Sequence, residues 1–263
     1  MAQPYLLPTL YRQSREGFMV IAHRGAGAYY PENTMPAFEA AMQMGADMIE
    51  LDVQLSSDGV PVVFHDVMLD DHTDGQGPLS YYTFDELKEL DAGSWKGREF
   101  GGTKIPSLEK VLACASGKIA LNIEIKTEAV AKGHAGGVEQ KCLELVKKHD
   151  MEKYVLFSSF DYRAVVHLKK LNPKIPVALL YNRRRSDGKL PSQLVRNYRA
   201  DAFNFSYGEA TKTRLTDLKK HHIPHFVYTV NTPRRMRKLL AAGVSGIFTD
   251  KPDLLKTIVE NNY

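Results

Sequence analysis

Residues 18–66 read FMVIAHRGAGAYYPENTMPAFEAAMQMGADMIELDVQLSSDGVPVVFHD. The first apolar run, Phe18 to Ala22, ends in His23-Arg24-Gly25. It is short and bounded by glycine, and it reads as a buried parallel strand. Asn33 is a good N-cap, Pro36 suits a first helical turn, and Phe38, Ala41 and Met42 then share a helical face. Met48 to Leu55 and Val60 to Phe64 read as strands joined through Ser57-Asp58-Gly59, the second ending in His65-Asp66. Residues two apart in a strand point to one face, so Glu50 and Asp52 aim two carboxylates the same way. Two buried acids on one face repel unless a positive group sits between them, and a hard divalent cation suits carboxylate oxygens. Histidine, which ends each of the other two runs, is the side chain suited to proton transfer near neutrality.

The blocks HRG, PENT, GAD-x-IELDVQ-x-S-x-DG and VV-x-HD, spaced in that order, resemble the glycerophosphodiester phosphodiesterase family. FSSFD, from Phe157 to Asp161, and the segments YTVN and GVSGIFTDKP, between Tyr228 and Pro252, extend the likeness over nearly the whole chain. The resemblance implies a (β/α)₈ barrel spanning 1–263 as one domain, with 67–106 as an inserted cap subdomain. It implies that Glu50, Asp52 and Glu124 bind Mg²⁺ or Ca²⁺, that His23 and His65 are the catalytic pair, and that Arg24 and Lys126 hold the phosphate. It also implies an intramolecular route in which the glycerol 2-hydroxyl attacks first. Where the family often has tryptophan before TVN, this chain has Tyr228, which still offers a ring to pack on glycerol. Asp71-His72-Thr73 departs from a usually more basic stretch, and His72 is expected to be a surface loop residue. Glu32 and Asn33 stand between capping and substrate contact. Asp66 is expected to orient its loop or a catalytic neighbour.

The rest of the chain alternates as a barrel requires. Strands are expected at 119–126, 154–158, 175–181, 202–206, 226–230 and 246–249. Helices are expected at 108–115, 138–149, 162–171, 190–199, 215–221, 233–242 and 253–260. With the Val20 run and the Met48/Val60 region this makes about eight strand positions, and active sites of such barrels form at the C-terminal strand ends. His23, Glu50, Asp52, His65 and Glu124 all fall late in these strands or just after them. In IALNIEIK, Asn122, Glu124 and Lys126 share a face, and burying such groups without a function is costly. Only Phe84 to Leu90 reads as helical within Val67–Pro106, and loops of that length are usually functional or inserted units.

Composition excludes several classes. Of 263 residues, 43% are hydrophobic and 25% charged, which suits a globular domain with a full core. The net charge of +4 gives slight support to an anionic substrate. No basic run is interleaved with stacking aromatics, so nucleic acid is not an expected partner. Gly25-Ala26-Gly27 lacks the third glycine of a dinucleotide fingerprint, and Pro31 stands near where its helix would open. The two cysteines, Cys114 and Cys142, have no metal-ligand spacing and suit a reduced cytoplasmic setting. The N-terminal segment lacks signal-peptide or membrane-span character and is expected to pack as an arm. The partner is a small-molecule glycerophosphodiester, and no oligomer is predicted. Two alternatives stand beside this reading. One is a lysophospholipase D activity using an apolar groove near Tyr81, Tyr82 and Phe84; the other is a phosphodiester-binding barrel without turnover.

Overall fold

The computed structural model describes residues 17–130 and 136–261. The expected N-terminal arm lies outside them. Nine strands run β1 (Met19–His23), β2 (Met48–Leu55), β3 (Pro61–Val63), β4 (Ala120–Ile125), β5 (Val155–Ser159), β6 (Val177–Leu180), β7 (Ala202–Ser206), β8 (His225–Tyr228) and β9 (Gly246–Thr249). The described helices are α1 (Met35–Gln43), α2 (Phe84–Leu87), α3 (Leu108–Ala115), α4 (Val138–Lys148) and α5 (Tyr162–Leu171). They continue as α6 (Arg183–Ser186), α7 (Pro191–Tyr198), α8 (Lys212–Lys220), α9 (Pro233–Ala241) and α10 (Pro252–Glu260). The sheet order β1-β9-β8-β7-β6-β5-β4-β2 closes through β1–β2 pairing, and every pair in this ring is parallel. This is the eight-stranded (β/α)₈ barrel that the alternation predicts.

The strand expected over 60–64 exists as β3 but is not a barrel strand. It pairs antiparallel with the upper half of β2, Val53 opposite Val63 and Leu55 opposite Pro61. The connector of only five residues explains this, because a parallel return needs a crossover of a dozen or more. The helix expected over 84–90 is cut to α2, with Thr83 as its cap in a reciprocal capping box with Glu86. The helix expected at 215–221 starts nearly a turn earlier, where the Thr211 hydroxyl accepts from the Arg214 N–H. The short α6 was not expected; the Asn182 side chain caps it.

Inside the barrel, five of the eight ring strands change character along one row of side chains. Ile21 gives way to His23, Met48 to Glu50 and then Asp52, and Ala120 to Asn122 and Glu124. Leu156 likewise gives way to Ser158, and Ala202 to Asn204. The two-residue period keeps each row on the inner face. The base is therefore a dry apolar plug and the C-terminal mouth is polar. The alternate residues, Val20, Ile49, Leu51 and Ile123 among them, face the helices in a larger apolar cluster. Between β3 and α3, residues 67–106 wrap a third cluster of Leu69, Leu79, Leu87, Ala92 and Ile105 against Val62 and Phe64.

Phe226 fills the plug because β9 carries no side chain at Gly246. A Cβ there would stand 2.6 Å from the Met19 carbonyl oxygen and 3.0 Å from the Phe226 ring. Gly246→Ala is thus overpacking at a fixed backbone and should cost about 1–3 kcal/mol. The expected readout is a melting temperature lower by several degrees, at about 2–4 °C per kcal/mol for a chain of this size. An unchanged melting temperature would show that the plug has slack.

Candidate active site

The mouth of the barrel gathers the polar ends of β1, β2 and β4. Glu50 and Asp52 are buried, Glu124 nearly so, and one carboxylate oxygen from each lies within 4.8 Å of the others. Register explains the cluster, because β2 lies between β1 and β4 with His23 opposite Glu50 and Asp52 opposite Glu124.

Two cations and one amide answer these charges. The Lys126 Nζ stands 3.3 Å from Asp52 Oδ1 and 3.3 Å from Glu124 Oε1. The Arg24 guanidinium donates to Glu32 Oε1 at 2.6 Å and places its Nε 3.3 Å from Asp52 Oδ2. The Arg24 backbone N–H donates to Glu50 Oε2 at 2.9 Å, a geometry reached with φ 53°. The next residue, Gly25, has φ 86°, and a Cβ there would meet the Ala37 backbone at 2.7 Å. The glycine lets the β1 loop and α1 pack directly on each other.

Asn33 does not cap α1. Thr34 is the N-cap, without a side-chain bond, and Asn33 turns inward at φ 57°. Its amide donates to Asp52 Oδ2 at 2.9 Å while its oxygen accepts the Asp52 N–H at 3.2 Å. The two central residues of the PENT motif thus brace the carboxylate cluster, Glu32 through Arg24 and Asn33 through Asp52.

The electrostatics follow from this arrangement. Burial opposes the Asp52 charge, but Lys126, Arg24, His65 and Asn33 outweigh it and hold the carboxyl below its ordinary range. Burial, then repulsion from Asp52, pushes Glu50 and Glu124 well above theirs, despite nearby cations. Three carboxylates against one guanidinium and one ammonium leave negative charge uncompensated. An all-oxygen donor set with that deficit fits a hard divalent cation, which would be held by Glu50, Asp52 and Glu124.

The two histidines arrive by different routes. His23 ends β1, and its Nδ1 lies 2.7 Å from Asp250 Oδ1. Asp250 is fixed in turn by Asn231, whose amide donates to Oδ2 and whose oxygen accepts the Asp250 N–H at 2.9 Å. His65 follows the descending β3, which brings it back to the level of the carboxylates; the Phe64 N–H bonds the Asp52 carbonyl at 3.0 Å. Its Nδ1 lies 2.7 Å from Asp66 Oδ1, and the other Asp66 oxygen binds His72 Nδ1. An ionised carboxylate only accepts, so each Nδ1 carries the hydrogen and each neutral ring keeps its lone pair on Nε2. His72 is therefore no free loop residue: it shares Asp66 with His65 and packs edge-on against Trp95.

One cavity of about 230 Å³ joins His23, Arg24, Glu50, His65, Glu124 and Lys126 to a less polar wall of Phe160, Leu180, Tyr228 and Phe248. Tyr228 meets Phe160 and Phe248 edge to face. The expected site residues thus come together, Asp52 at the cluster's core. Sequence reasoning passed over Asp250 and Asn231, whose only signal was their place just past strand ends. Phe84 lines a different cavity, with Asp58, Lys141 and Glu144, and Tyr81 is exposed.

The family model for the glycerophosphoryl diester phosphodiesterase family matches residues 23–254. The chain is 37% identical over 242 residues to a glycerophosphodiester phosphodiesterase of Caldanaerobacter subterraneus, covering 92% of this chain and 97% of that protein. Its fold superposes on a glycerophosphodiester phosphodiesterase of Agrobacterium tumefaciens with TM-score 0.80 at 28% identity, covering 91% and 99% of the two chains. It also matches a phosphodiesterase of Oleispira antarctica in complex with the product sn-glycerol-3-phosphate, with TM-score 0.83 at 31% identity and coverage of 91% and 96%. No helix among the described residues is long and apolar enough to cross a membrane.

Burial disfavours the His23 imidazolium, yet the Asp250 bond and the Glu50 charge raise its pKa above the ordinary histidine value. Asp250 is half-buried, which opposes its charge, but the His23 bond outweighs this and lowers its pKa. The raised His23 stabilises the fold below its unfolded pKa and loses that contribution as pH climbs through the folded one. The lowered Asp250 contributes above its unfolded pKa and loses that as pH falls through the folded one. The ion pair is strongest between these limits, in mildly acidic solution. Asp250→Asn should therefore lower the melting temperature more at pH 6 than at pH 9, where a neutral hydrogen bond replaces the ion pair. Equal losses at both pH values would show that the pair carries no net charge interaction.

Proposed function

The chain belongs to the glycerophosphoryl diester phosphodiesterase family, and we propose that it hydrolyses glycerophosphodiesters to sn-glycerol 3-phosphate and a free alcohol, with a bound Mg²⁺ or Ca²⁺. The observation that carries this reading is one cavity lined by Glu50 and Glu124 of a three-carboxylate cluster, by two basic groups and by two aspartate-oriented histidines. The product bound in the Oleispira antarctica relative supports the same substrate class.

Arg24 and Lys126 face the cavity beside the carboxylates and suit a phosphodiester's single negative charge. Their charge counts for more as negative charge shifts among the phosphoryl oxygens in the transition state. The divalent cation, when bound, supplies Lewis-acid polarisation of a phosphoryl oxygen. His23 and His65 divide the proton work: one takes the proton of the attacking hydroxyl, the other gives a proton to the departing alkoxide. Asp250 and Asp66 each accept from Nδ1–H, which leaves Nε2 of the base as a free lone pair, while Nε2 of the acid, as an imidazolium, carries the proton it gives. Tyr228 offers an aromatic face to the carbon skeleton. A lysophospholipid substrate has less support, because Phe84, offered for an acyl chain, lines a separate cavity.

Two outcomes are expected. Chelation should abolish turnover of glycerophosphocholine and added Mg²⁺ or Ca²⁺ should restore it. Glu50→Gln, Asp52→Asn and Glu124→Gln should each weaken calorimetric metal affinity as well as turnover. Full activity in protein shown to be metal-free would sink the metal assignment.

His23→Ala and His65→Ala should each lower kcat by about 10²–10⁴-fold, the range for general acid–base groups. A nitrophenyl diester, whose leaving group needs no proton, should restore only the variant lacking the acid. If both variants keep near-normal kcat but melt earlier, the histidines are packing residues.

A further inference from the structure

The reacting groups occupy only half of the cavity wall. His23, Arg24, Glu50, His65, Glu124 and Lys126 come from β1, β2, β4 and the β3 hairpin. The facing wall comes from β5 to β9, and among its side chains is Asn204 on β7. In the ring of eight, β7 lies four places from β2 in either direction, directly across from Glu50 and Asp52.

Asn204 is fully buried, and neither its amide nitrogen nor its amide oxygen has a protein partner. Its register neighbours, Leu180 on β6 and Phe226 on β8, have nothing to offer it. Ser158 and Thr229 also line this wall; the Ser158 hydroxyl already donates to Asn122 Oδ1 at 2.7 Å. An unmet buried amide costs about 1–3 kcal/mol. A leucine of similar size would avoid that cost among Leu180, Phe226 and Tyr228. Asn204 lines the cavity, and its amide is a neutral donor–acceptor pair with no protein partner.

That chemistry selects its ligand. A phosphate goes to the cationic wall opposite. A quaternary ammonium or an alkyl group presents neither donor nor acceptor. An alcohol hydroxyl presents both, and matches an amide that donates through Nδ2 and accepts through Oδ1. We propose that Asn204 is a specificity-determining residue that binds a hydroxyl of the glycerol moiety and so sets which arm of the diester lies across the barrel. This rests on the glycerophosphodiester reading for the identity of the polyol. The hydrogen-bond selection itself is independent of turnover.

The test is calorimetric affinity of the metal-loaded protein for sn-glycerol 3-phosphate and for propyl phosphate, which lacks both hydroxyls. Wild type should prefer the glycerol ester by about 10–100-fold, the worth of one or two neutral hydrogen bonds. Asn204→Leu should reduce that preference to within about twofold by weakening glycerol 3-phosphate binding, while its melting temperature does not fall. If the leucine variant fails to fold, Asn204→Ala gives the same comparison. An unchanged preference in the variant, or no preference in wild type, overturns the proposal. Failure of the functional reading shows separately, as wild-type protein that binds these esters but leaves glycerophosphocholine intact.

Discussion

Three carboxylates within 4.8 Å of one another, at the buried mouth of a barrel, are the constraint on which the site depends. Two unit charges about 4 Å apart interact by about 4 kcal/mol at an effective dielectric of 20. Three such pairs approach the whole stability of a domain, about 5–15 kcal/mol. The fold can hold them only with an answering charge or by keeping a proton on Glu50 or Glu124, and the answering charges come from separate segments. Lys126 reaches Asp52 and Glu124 from the end of β4, Arg24 reaches Asp52 from the end of β1, and Asn33 bonds Asp52 from before α1. What they leave uncompensated falls on Glu50 and Glu124, and that is the charge a cation would meet.

The barrel makes this concentration tolerable by confining it to one layer. Below it the same inward rows are apolar, with Met19, Ile21, Met48, Leu156 and Phe226 closing the base. His65 could not be added from within the ring, since its strand positions are already filled. It is supplied by folding the chain back along the outside of β2, so that β3 descends and ends beside Asp52. The two histidines are therefore held by separate supports. His23 depends on Asp250, distant in sequence and itself fixed by Asn231; His65 depends on its own neighbour Asp66, shared with His72.

The parts legible in the sequence were those fixed by local period and turn chemistry. Strand parity alone put Glu50 with Asp52 and Glu124 with Lys126, because a side-chain period of two leaves no alternative. The direction of β3 was also legible in principle, since five residues cannot connect parallel neighbours. Asn33 stands in the sequence between capping and substrate contact, because asparagine before a helix is often a cap and its left-handed backbone cannot be inferred from type alone. Asn231 and Asp250 fall in the TVN and TDKP segments just past strand ends, but their link to His23 depends on β9 pairing with β1 and β8, which closes the ring between distant segments. Asn204 likewise looks like any polar residue in AFNFS until the barrel shows which side it faces.

Ring closure also divides the work between the halves of the chain. Every charged side chain lining the cavity precedes residue 130, whereas the wall from Ser158 to Phe248 is neutral. Charge on that second wall would compete with Arg24 and Lys126 for the phosphate, or add to the repulsion around Asp52. It is instead built from Phe160, Leu180, Tyr228 and Phe248, which shape space without adding to the field, and from neutral polar groups, Ser158, Thr229 and the Asn204 amide. Asp250 is the exception that fits the division, since its charge is spent on His23 and Asn231 rather than on the cavity. A barrel arranged in this way can change what it accepts by altering the second wall while the electrostatic balance of the first stays intact.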